Sequence, residues 1–319
     1  MRSLIFLVGC AFFAAAQAQS YPSKPIRIVV PYAPGGTTDI VGRQMGQKMS
    51  EALGQPVVIE NRTGGNTAIG TDAVAKSPAD GYTLLFTNDA TFVLNPVLFP
   101  SLTYNVQRDF VSVAPVTYVA LALAVNASVP ANTMKELVSY IQARKGQLGY
   151  GSFGAGSQPH IMGEMFKTLT KTDLVHVPYK GAGPAVSDVL GGQVLFTFPA
   201  FPTIQGHLRS GKLKVLAVSG DKRVPLAPDV PTFAEAGFKE MDMGAWYAFL
   251  APAGTPRDVV MKLNGTVNAI LKDAAFIEKN MVSQGMVPLL MSPEQMNGLI
   301  KSETDRMSVM VKASGAKVE

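Results

Sequence analysis

Short runs rich in Val, Ile, Leu and Phe alternate along this chain with stretches of helical periodicity, and that alternation constrains the fold more than any other feature. Strands that feed helices and then further strands are the pattern of α/β architecture, here expected as parallel sheets. Residues 26–30, 57–60, 83–86, 148–150, 174–177, 194–198, 214–218 and 246–250 read as strands. Residues 39–53, 70–76, 133–145, 159–169, 184–190, 256–271, 274–284 and 293–313 read as helices. Thr133 with Glu136 three residues later predicts a capping box. Pro225, Pro228 and Pro231 exclude regular structure from the loop that follows residue 218. At 319 residues, 47% of them hydrophobic, the chain is long enough to build two lobes rather than one. The apolar stretch 113–125 is long enough to run between lobes, and 246–250 reads as a strand returning to the first. The expected division is therefore 19–122 with 246–319 as lobe 1, and 123–245 as lobe 2.

The N-terminus is a separate object. Arg2 supplies a positive start, residues 4–16 form a short apolar run, and Ala16-Gln17-Ala18 places small residues where a signal peptidase cuts. Residues 1–18 are therefore expected to be a signal peptide cleaved near Ala18. Leu7-Val8-Gly9-Cys10 also resembles a lipobox, in which Cys10 would be lipidated. Against that, the apolar run continues past Cys10 through Phe12 and Phe13. Cys10 is the chain's one cysteine, so the remainder has no disulfide, thiol nucleophile or thiolate metal site. The formal net charge of +5 is spread along the chain, with no Lys/Arg stripe interleaved with aromatics, which argues against nucleic acid.

Two similar passages point to where chemistry belongs. Val29-Val30-Pro31-Tyr32-Ala33-Pro34-Gly35-Gly36-Thr37-Thr38-Asp39 and His176-Val177-Pro178-Tyr179-Lys180-Gly181-Ala182-Gly183-Pro184 each lead an apolar strand through Pro-Tyr and a glycine loop into a helix. Helix N-termini present unpaired N–H groups and positive dipole ends, and open α/β sheets bind ligands at such strand ends. A third loop, from Gly149 to His160, carries Gly151, Ser152, Phe153, Gly154 and Ser157, with Ser157 as a possible cap and Pro159 suited to a first turn. A fourth, Asn61-Arg62-Thr63-Gly64-Gly65-Asn66, follows the second strand. Either an ordinary tight βα turn or an anion site satisfies each loop singly; several together favour the anion site. Four or five charge-assisted hydrogen bonds, at about 1.5–3 kcal/mol each, would reach micromolar affinity after the cost of association.

Catalytic readings are thin. Gly149-x-Gly151-x-x-Gly154 matches a dinucleotide fingerprint only formally, since its helix opens late and no acidic residue ends the next strand. His160, His176 and His207 have no metal-ligand spacing, and neither HExxH nor a Gly-x-Ser-x-Gly elbow occurs. No enzyme activity, cofactor or metal is expected.

In these motifs the chain resembles the Bug/TctC family, the periplasmic solute-binding proteins of tripartite tricarboxylate transporters. The resemblance rests on Tyr21-Pro22-Ser23-Lys24-Pro25-Ile26, residues 34–39, Glu60-Asn61-Arg62 with Gly64-Gly65, and Pro78-Ala79-Asp80-Gly81-Tyr82-Thr83-Leu84. It continues through Gly151-Ser152, residues 154–157, His160, Pro178-Tyr179-Lys180-Gly181, Gly191-Gly192-Gln193-Val194, Pro228-Asp229-Val230-Pro231-Thr232 and Glu235-Ala236-Gly237. It implies a type II, Venus-flytrap binding protein: two α/β lobes that close on a solute in the periplasm and deliver it to a membrane permease. A monomer is expected, and a periplasmic sensing subunit for a sensor kinase is the alternative. The resemblance implies that residues 34–39 grip a carboxylate while 152–157 and 179–183 close from the other lobe. The ligand-binding set expected is thus Tyr32, Pro34, Gly35, Gly36, Thr37, Thr38 and Asp39, with Gly65, Asn66 and Asn88. From the second lobe it takes Ser152, Phe153, Gly154, Ser157, His160, Tyr179, Gly181 and Phe201. Relatives commonly carry acidic residues after the Gly-Gly-Gln-Val run, where this chain reads Leu195-Phe196-Thr197-Phe198-Pro199-Ala200-Phe201. Loss of an ammonium partner there, with Phe153 and Phe201 nearby, favours an aromatic or aliphatic dicarboxylate over an amino acid.

Overall fold

The computed structural model describes residues 21–316. The expected signal peptide, with Cys10 and the cleavage expected near Ala18, lies outside them. β1 (Ile26–Val30) is followed by α1 (Thr37–Leu53), β2 (Val57–Asn61), α2 (Ala68–Ala75) and β3 (Thr83–Asn88). β1 pairs in parallel with both β2 and β3, and α1 and α2 are the crossovers that parallel pairing requires. A π-helical turn, Ala90–Leu94, runs into α3 (Asn95–Leu98), then α4 (Val106–Asp109) and β4 (Phe110–Val119).

Two residues later β5 (Ala122–Asn126) opens a second sheet. The chain then passes through α5 (Met134–Gln142), β6 (Gly149–Ser152), α6 (Gln158–Thr170), β7 (Val175–Pro178) and α7 (Ala182–Leu190). β8 (Phe196–Thr197), α8 (Phe201–Arg209) and β9 (Leu213–Val218) complete this lobe. An irregular segment containing the three prolines returns the chain to β10 (Ala245–Pro252), α9 (Arg257–Ile270), α10 (Ala274–Asn280), β11 (Met286–Pro288) and α11 (Pro293–Ser314).

The strand orders are β11-β4-β10-β3-β1-β2 and β7-β6-β8-β5-β9. Both sheets are mixed, which corrects the expectation of parallel ones. β10 runs antiparallel to β3 and β4, and β5 runs antiparallel to β8 and β9. The reason is the traffic between lobes: the strands that leave and re-enter each sheet insert beside their neighbours in the opposite sense. The apolar stretch 113–125 resolves into β4 and β5, and its continuous hydrophobicity reflects strands buried on both faces.

The two crossings touch where they pass. Leu121 N–H donates to Ser219 Oγ at 2.8 Å, and Ser219 N–H donates to the Leu121 carbonyl at 2.8 Å. These paired bonds tie the two crossings together between the sheets. α11 straddles them, packing on β4 and on α6 of the second lobe, with Thr168 Oγ1 bonded to the Ser314 carbonyl at 3.3 Å.

Local chemistry explains most helix ends. Thr133 Oγ1 accepts the Glu136 N–H at 3.1 Å as the capping box predicts, but the Glu136 carboxylate takes the Asn132 N–H at 2.7 Å instead of that of Thr133. Ser292 and Gln295 form the complete reciprocal box at α11. One large core, with Phe86 and Phe249 at 4.6 Å and Phe166 and Phe196 at 5.4 Å, continues from the first sheet into the second. A smaller core lies under α7 and α8. Among the described residues no helix is long and apolar enough to cross a membrane.

Candidate ligand site between the lobes

The two Pro-Tyr loops face each other across the lobes, and they touch. Ala33 N–H donates to the Lys180 carbonyl at 2.9 Å. A Cβ added to Gly183 would lie 2.7 Å from the Pro34 carbonyl oxygen, and one on Gly36 would lie 3.4 Å from Ala182 Cβ. Thr37 Oγ1 meets Thr203 Oγ1 of α8 at 2.9 Å. The N-termini of α1 and α7 therefore approach each other closely, and at Gly183 only glycine allows it.

Each loop is braced from within its own lobe. Tyr32 is buried and its hydroxyl donates to Asn88 Oδ1 at 2.8 Å. Asp39, in the first turn of α1, accepts from Gly35 N–H at 3.1 Å and Asn61 Nδ2 at 3.0 Å, and pairs with Arg43 at 2.9 Å. Burial pushes its carboxyl up, but the bonds from Arg43, Gly35 and Asn61 outweigh burial and hold it below the usual carboxylate range. It is fully engaged in shaping its own loop. Across the cleft, Tyr179 donates to Asp188 Oδ2 at 2.6 Å, and burial together with that carboxylate pushes the phenol up to about 12.

The glycine loop 152–157 is held by two imidazoles. Ser152 Oγ lies 2.6 Å from His176 Nε2, and Gly156 N–H donates to His160 Nδ1 at 3.0 Å. The two rings stack 4.1 Å apart, and His176 also stacks on Tyr150 at 5.2 Å. Burial and the neighbouring His160 depress His176 to about 4, while burial lowers His160. Both rings are thus neutral near neutrality, and His160 Nδ1 is an acceptor. Ser157 occupies the N-cap position of α6, yet its hydroxyl bonds back to the loop, donating to the Gly154 carbonyl at 2.7 Å and accepting from Phe153 N–H at 3.2 Å. It closes the loop instead of capping the helix.

The fourth loop is the most strained. Asn66 and Thr67 both have positive φ, 46° and 74°, which is costly for a β-branched residue. Asn95 holds them there: its Nδ2 reaches the Asn66 carbonyl at 2.9 Å and Thr67 Oγ1 at 3.2 Å, and its Oδ1 accepts from Asn66 Nδ2 at 2.7 Å. The one side-chain atom of Asn66 left without a partner is Oδ1.

These loops enclose a cavity of about 510 Å³ between the lobes. From the first lobe it is lined by Pro31, Tyr32, Gly64, Gly65, Asn66, Thr67, Ala68, Phe99, Ser101, Leu102 and Thr103. From the second come Phe153, Gly154, Ala155, Pro178, Tyr179 and Lys180. Its walls combine apolar side chains with glycine backbone and hydroxyls. No carboxylate lines it, and Lys180 is its single charged residue.

Of the residues expected from sequence, Tyr32, Gly65, Asn66, Phe153, Gly154 and Tyr179 line this cavity. Pro34, Gly35, Gly36, Thr37, Thr38, Asp39 and Gly181 form the contact seam beside it, and Asn88, Ser152, Ser157 and His160 support the loops from behind. Phe201 is a correction. It is 1% exposed and belongs to the core beneath α7 and α8, with Ile204, Val218 and Val224, because the first turn of α8 turns its ring inward. Sequence reading missed Phe99, His176, Thr203, Gln158 and Asp89. Among the described residues no group of acidic, histidine or cysteine side chains is arranged to hold a metal ion.

Residues 41–316 match the family described as the tripartite tricarboxylate transporter family receptor. Protein BugT of Bordetella pertussis is 38% identical over 316 residues, which cover 99% of this chain and 97% of that protein. An R. palustris protein solved with adipate superposes with a TM-score of 0.90 at 34% identity, over 93% of this chain and all (100%) of that one. MatC from Rhodopseudomonas palustris, solved with bound malate, gives 0.85 at 32% identity, over 91% of this chain and 100% of that one. With two α/β lobes, a cavity between them and a match over nearly its whole length, the chain belongs to the tripartite tricarboxylate transporter receptor family, whose members are solute-binding receptors and not enzymes.

Proposed function

We propose that this protein is a periplasmic receptor that captures a small aliphatic or aromatic dicarboxylate by lobe closure and hands it to a tripartite tricarboxylate-type permease. The cavity carries this reading. It has no carboxylate in its walls, one ammonium at Lys180, backbone N–H groups in two glycine loops and an apolar patch from Phe99, Leu102 and Phe153. That lining attracts an anionic end and accommodates an apolar body. The relatives solved with adipate and malate point to the same chemical class. The leader at residues 1–18 supports export, and the protein acts as a monomer in this reading.

The test is a thermal-shift panel of adipate, malate, phthalate, free amino acids and sugars. A solute at about a hundredfold excess over Kd stabilises by roughly 2.7 kcal/mol, which raises Tm by about 4 °C in a protein of this size. Dicarboxylates should stabilise. Stabilisation by amino acids or sugars alone would overturn the proposal. A smaller effect is expected of Thr37→Val, which removes the hydroxyl that meets Thr203 across the lobes. At about 1 kcal/mol for a lost hydrogen bond, the affinity for the stabilising dicarboxylate should fall roughly fivefold by calorimetry. An unchanged Kd would show that this hydroxyl pair is not part of the bound state.

A further inference from the structure

Asp89 follows Asn88 directly beyond the end of β3 and is 1% exposed. Its Oδ1 accepts from Gln158 Nε2 of the second lobe at 2.5 Å and from the Trp246 backbone N–H at 3.2 Å. Its Oδ2 is buried without a partner. Gln158 opens α6, and its own Oε1 accepts from Asn88 Nδ2 at 3.5 Å. One neutral side chain of lobe 2 thus bridges two consecutive residues of lobe 1, and the closed lobes seal Asp89 from water.

An ionised carboxylate offers about four acceptor sites, and here the Gln158 amide, the Trp246 N–H and its own backbone N–H reach it, none of them charged. The titratable groups that face it do not compensate. Tyr32, Tyr118 and Tyr247 are neutral phenols, each raised by burial. Glu303 and Arg306 of α11 are paired with each other at 2.8 Å. Helix α6 brings only Gln158. Burial, with a contribution from Glu303, pushes the Asp89 carboxyl up to about 8 in this arrangement.

We infer that lobe closure takes up one proton at Asp89, so that this side chain sets the pH range over which the receptor holds an anionic solute. The inference rests on the capture by closure proposed above. When the lobes part, Gln158 withdraws and water reaches the carboxyl, which then titrates near its ordinary value of 3.8. Below that pH Asp89 is protonated in both states and no proton moves. Between about 4 and 8 the closed form holds a proton that the open form does not, so closure weakens by about tenfold per pH unit as pH rises. Above about 8 Asp89 is ionised in both states and the dependence flattens. A neutral Asp89 also imposes no repulsion on a dianionic solute in the adjoining cavity.

Two measurements test this on the intact protein. The first follows Kd for adipate and malate across roughly pH 6 to 7.5, where both solutes are fully ionised. Wild type should lose affinity about tenfold per pH unit, and Asp89→Asn, neutral at every pH, should give a flat profile. A flat wild-type profile, or a slope that persists in Asp89→Asn, overturns the inference. The second needs no solute and no variant. Trp246 is the chain's single tryptophan, is 2% exposed and donates its backbone N–H to Asp89. Its emission in the ligand-free protein should shift to the red as pH rises through this window, because the seam opens and hydrates. If no dicarboxylate binds, the functional proposal fails while this shift still reports on Asp89. If solutes bind and emission is pH-independent with no proton taken up on binding, the coupling fails alone.

Discussion

Gly183→Ala is expected to weaken dicarboxylate capture by up to about two orders of magnitude while leaving the fold intact. The added Cβ would lie 2.7 Å from the Pro34 carbonyl oxygen of the opposite lobe, a distance that real Cβ atoms do not show, and the obstacle is backbone that cannot swing aside. Gly183 sits in the first turn of α7 with ordinary helical geometry, so alanine is compatible locally and better by up to about 1 kcal/mol in helix propensity. The clash therefore falls on closure alone. Overpacking of this kind costs about 1–3 kcal/mol, which is roughly a 5- to 150-fold loss of affinity. Calorimetry with the dicarboxylate that gives the largest thermal shift measures the loss, and unfolding without solute checks the fold. An unchanged Kd would mean that the bound state does not bring the two Pro-Tyr loops together.

The loops that meet at Gly183 were legible in the sequence, and their partners were not. Residues 31–39 and 176–184 advertise themselves because proline, glycine and a helix start follow an apolar strand within ten or so residues. The same local grammar placed the start of α6 at Pro159 and the end of α1 at Gly54. Contacts across the cleft have no local signature. Thr37 and Thr203 stand 166 residues apart, and Gln158 and Asp89 stand 69 apart, so nothing near either member announces the other. Phe201 was misplaced for a related reason: proximity in sequence to a family motif says nothing about which face of α8 its ring occupies. Asp89 did leave a trace. A charged residue immediately after a wholly buried strand sits where open sheets bind ligands, and it lacks a basic neighbour in sequence. The absence of acidic residues near Leu195 disfavours an ammonium-bearing solute. The buried acid at Asp89 does not restore such a partner, because a protonated carboxyl is not a counter-ion.

His176 should separate loop positioning from fold stability. Its Nε2 is hydrogen-bonded to Ser152 Oγ at 2.6 Å, and its ring is stacked between Tyr150 and His160. His176→Ala removes both the ring nitrogen and the stacking; Ser152 Oγ keeps its bonds to the Gly154 carbonyl at 3.1 Å and from the Gly154 N–H at 3.2 Å, so the lost hydrogen bond costs about 0.5–1.5 kcal/mol. His176→Gln restores an amide oxygen near the position of Nε2 but not the ring. Both variants should therefore unfold at lower temperature. Only His176→Ala should loosen the loop that carries Phe153 and Gly154 to the cavity, with an affinity loss of roughly 2- to 13-fold. If the two variants bind equally weakly, the loop is held by packing and not by the hydrogen bond. pH supplies a second check, opposite in sign to that of Asp89. His176 is depressed to about 4 from an ordinary 6.5, so the folded state prefers the neutral ring. Its contribution is complete above about 6.5 and is lost as pH falls toward 4, which makes the protein less resistant to denaturant in acid. Neither variant retains the imidazole, so each should show a weaker acid dependence than wild type in denaturant titrations. Closure through Asp89 strengthens over the same acid range, and the two histidine variants should keep that part of the pH profile unchanged.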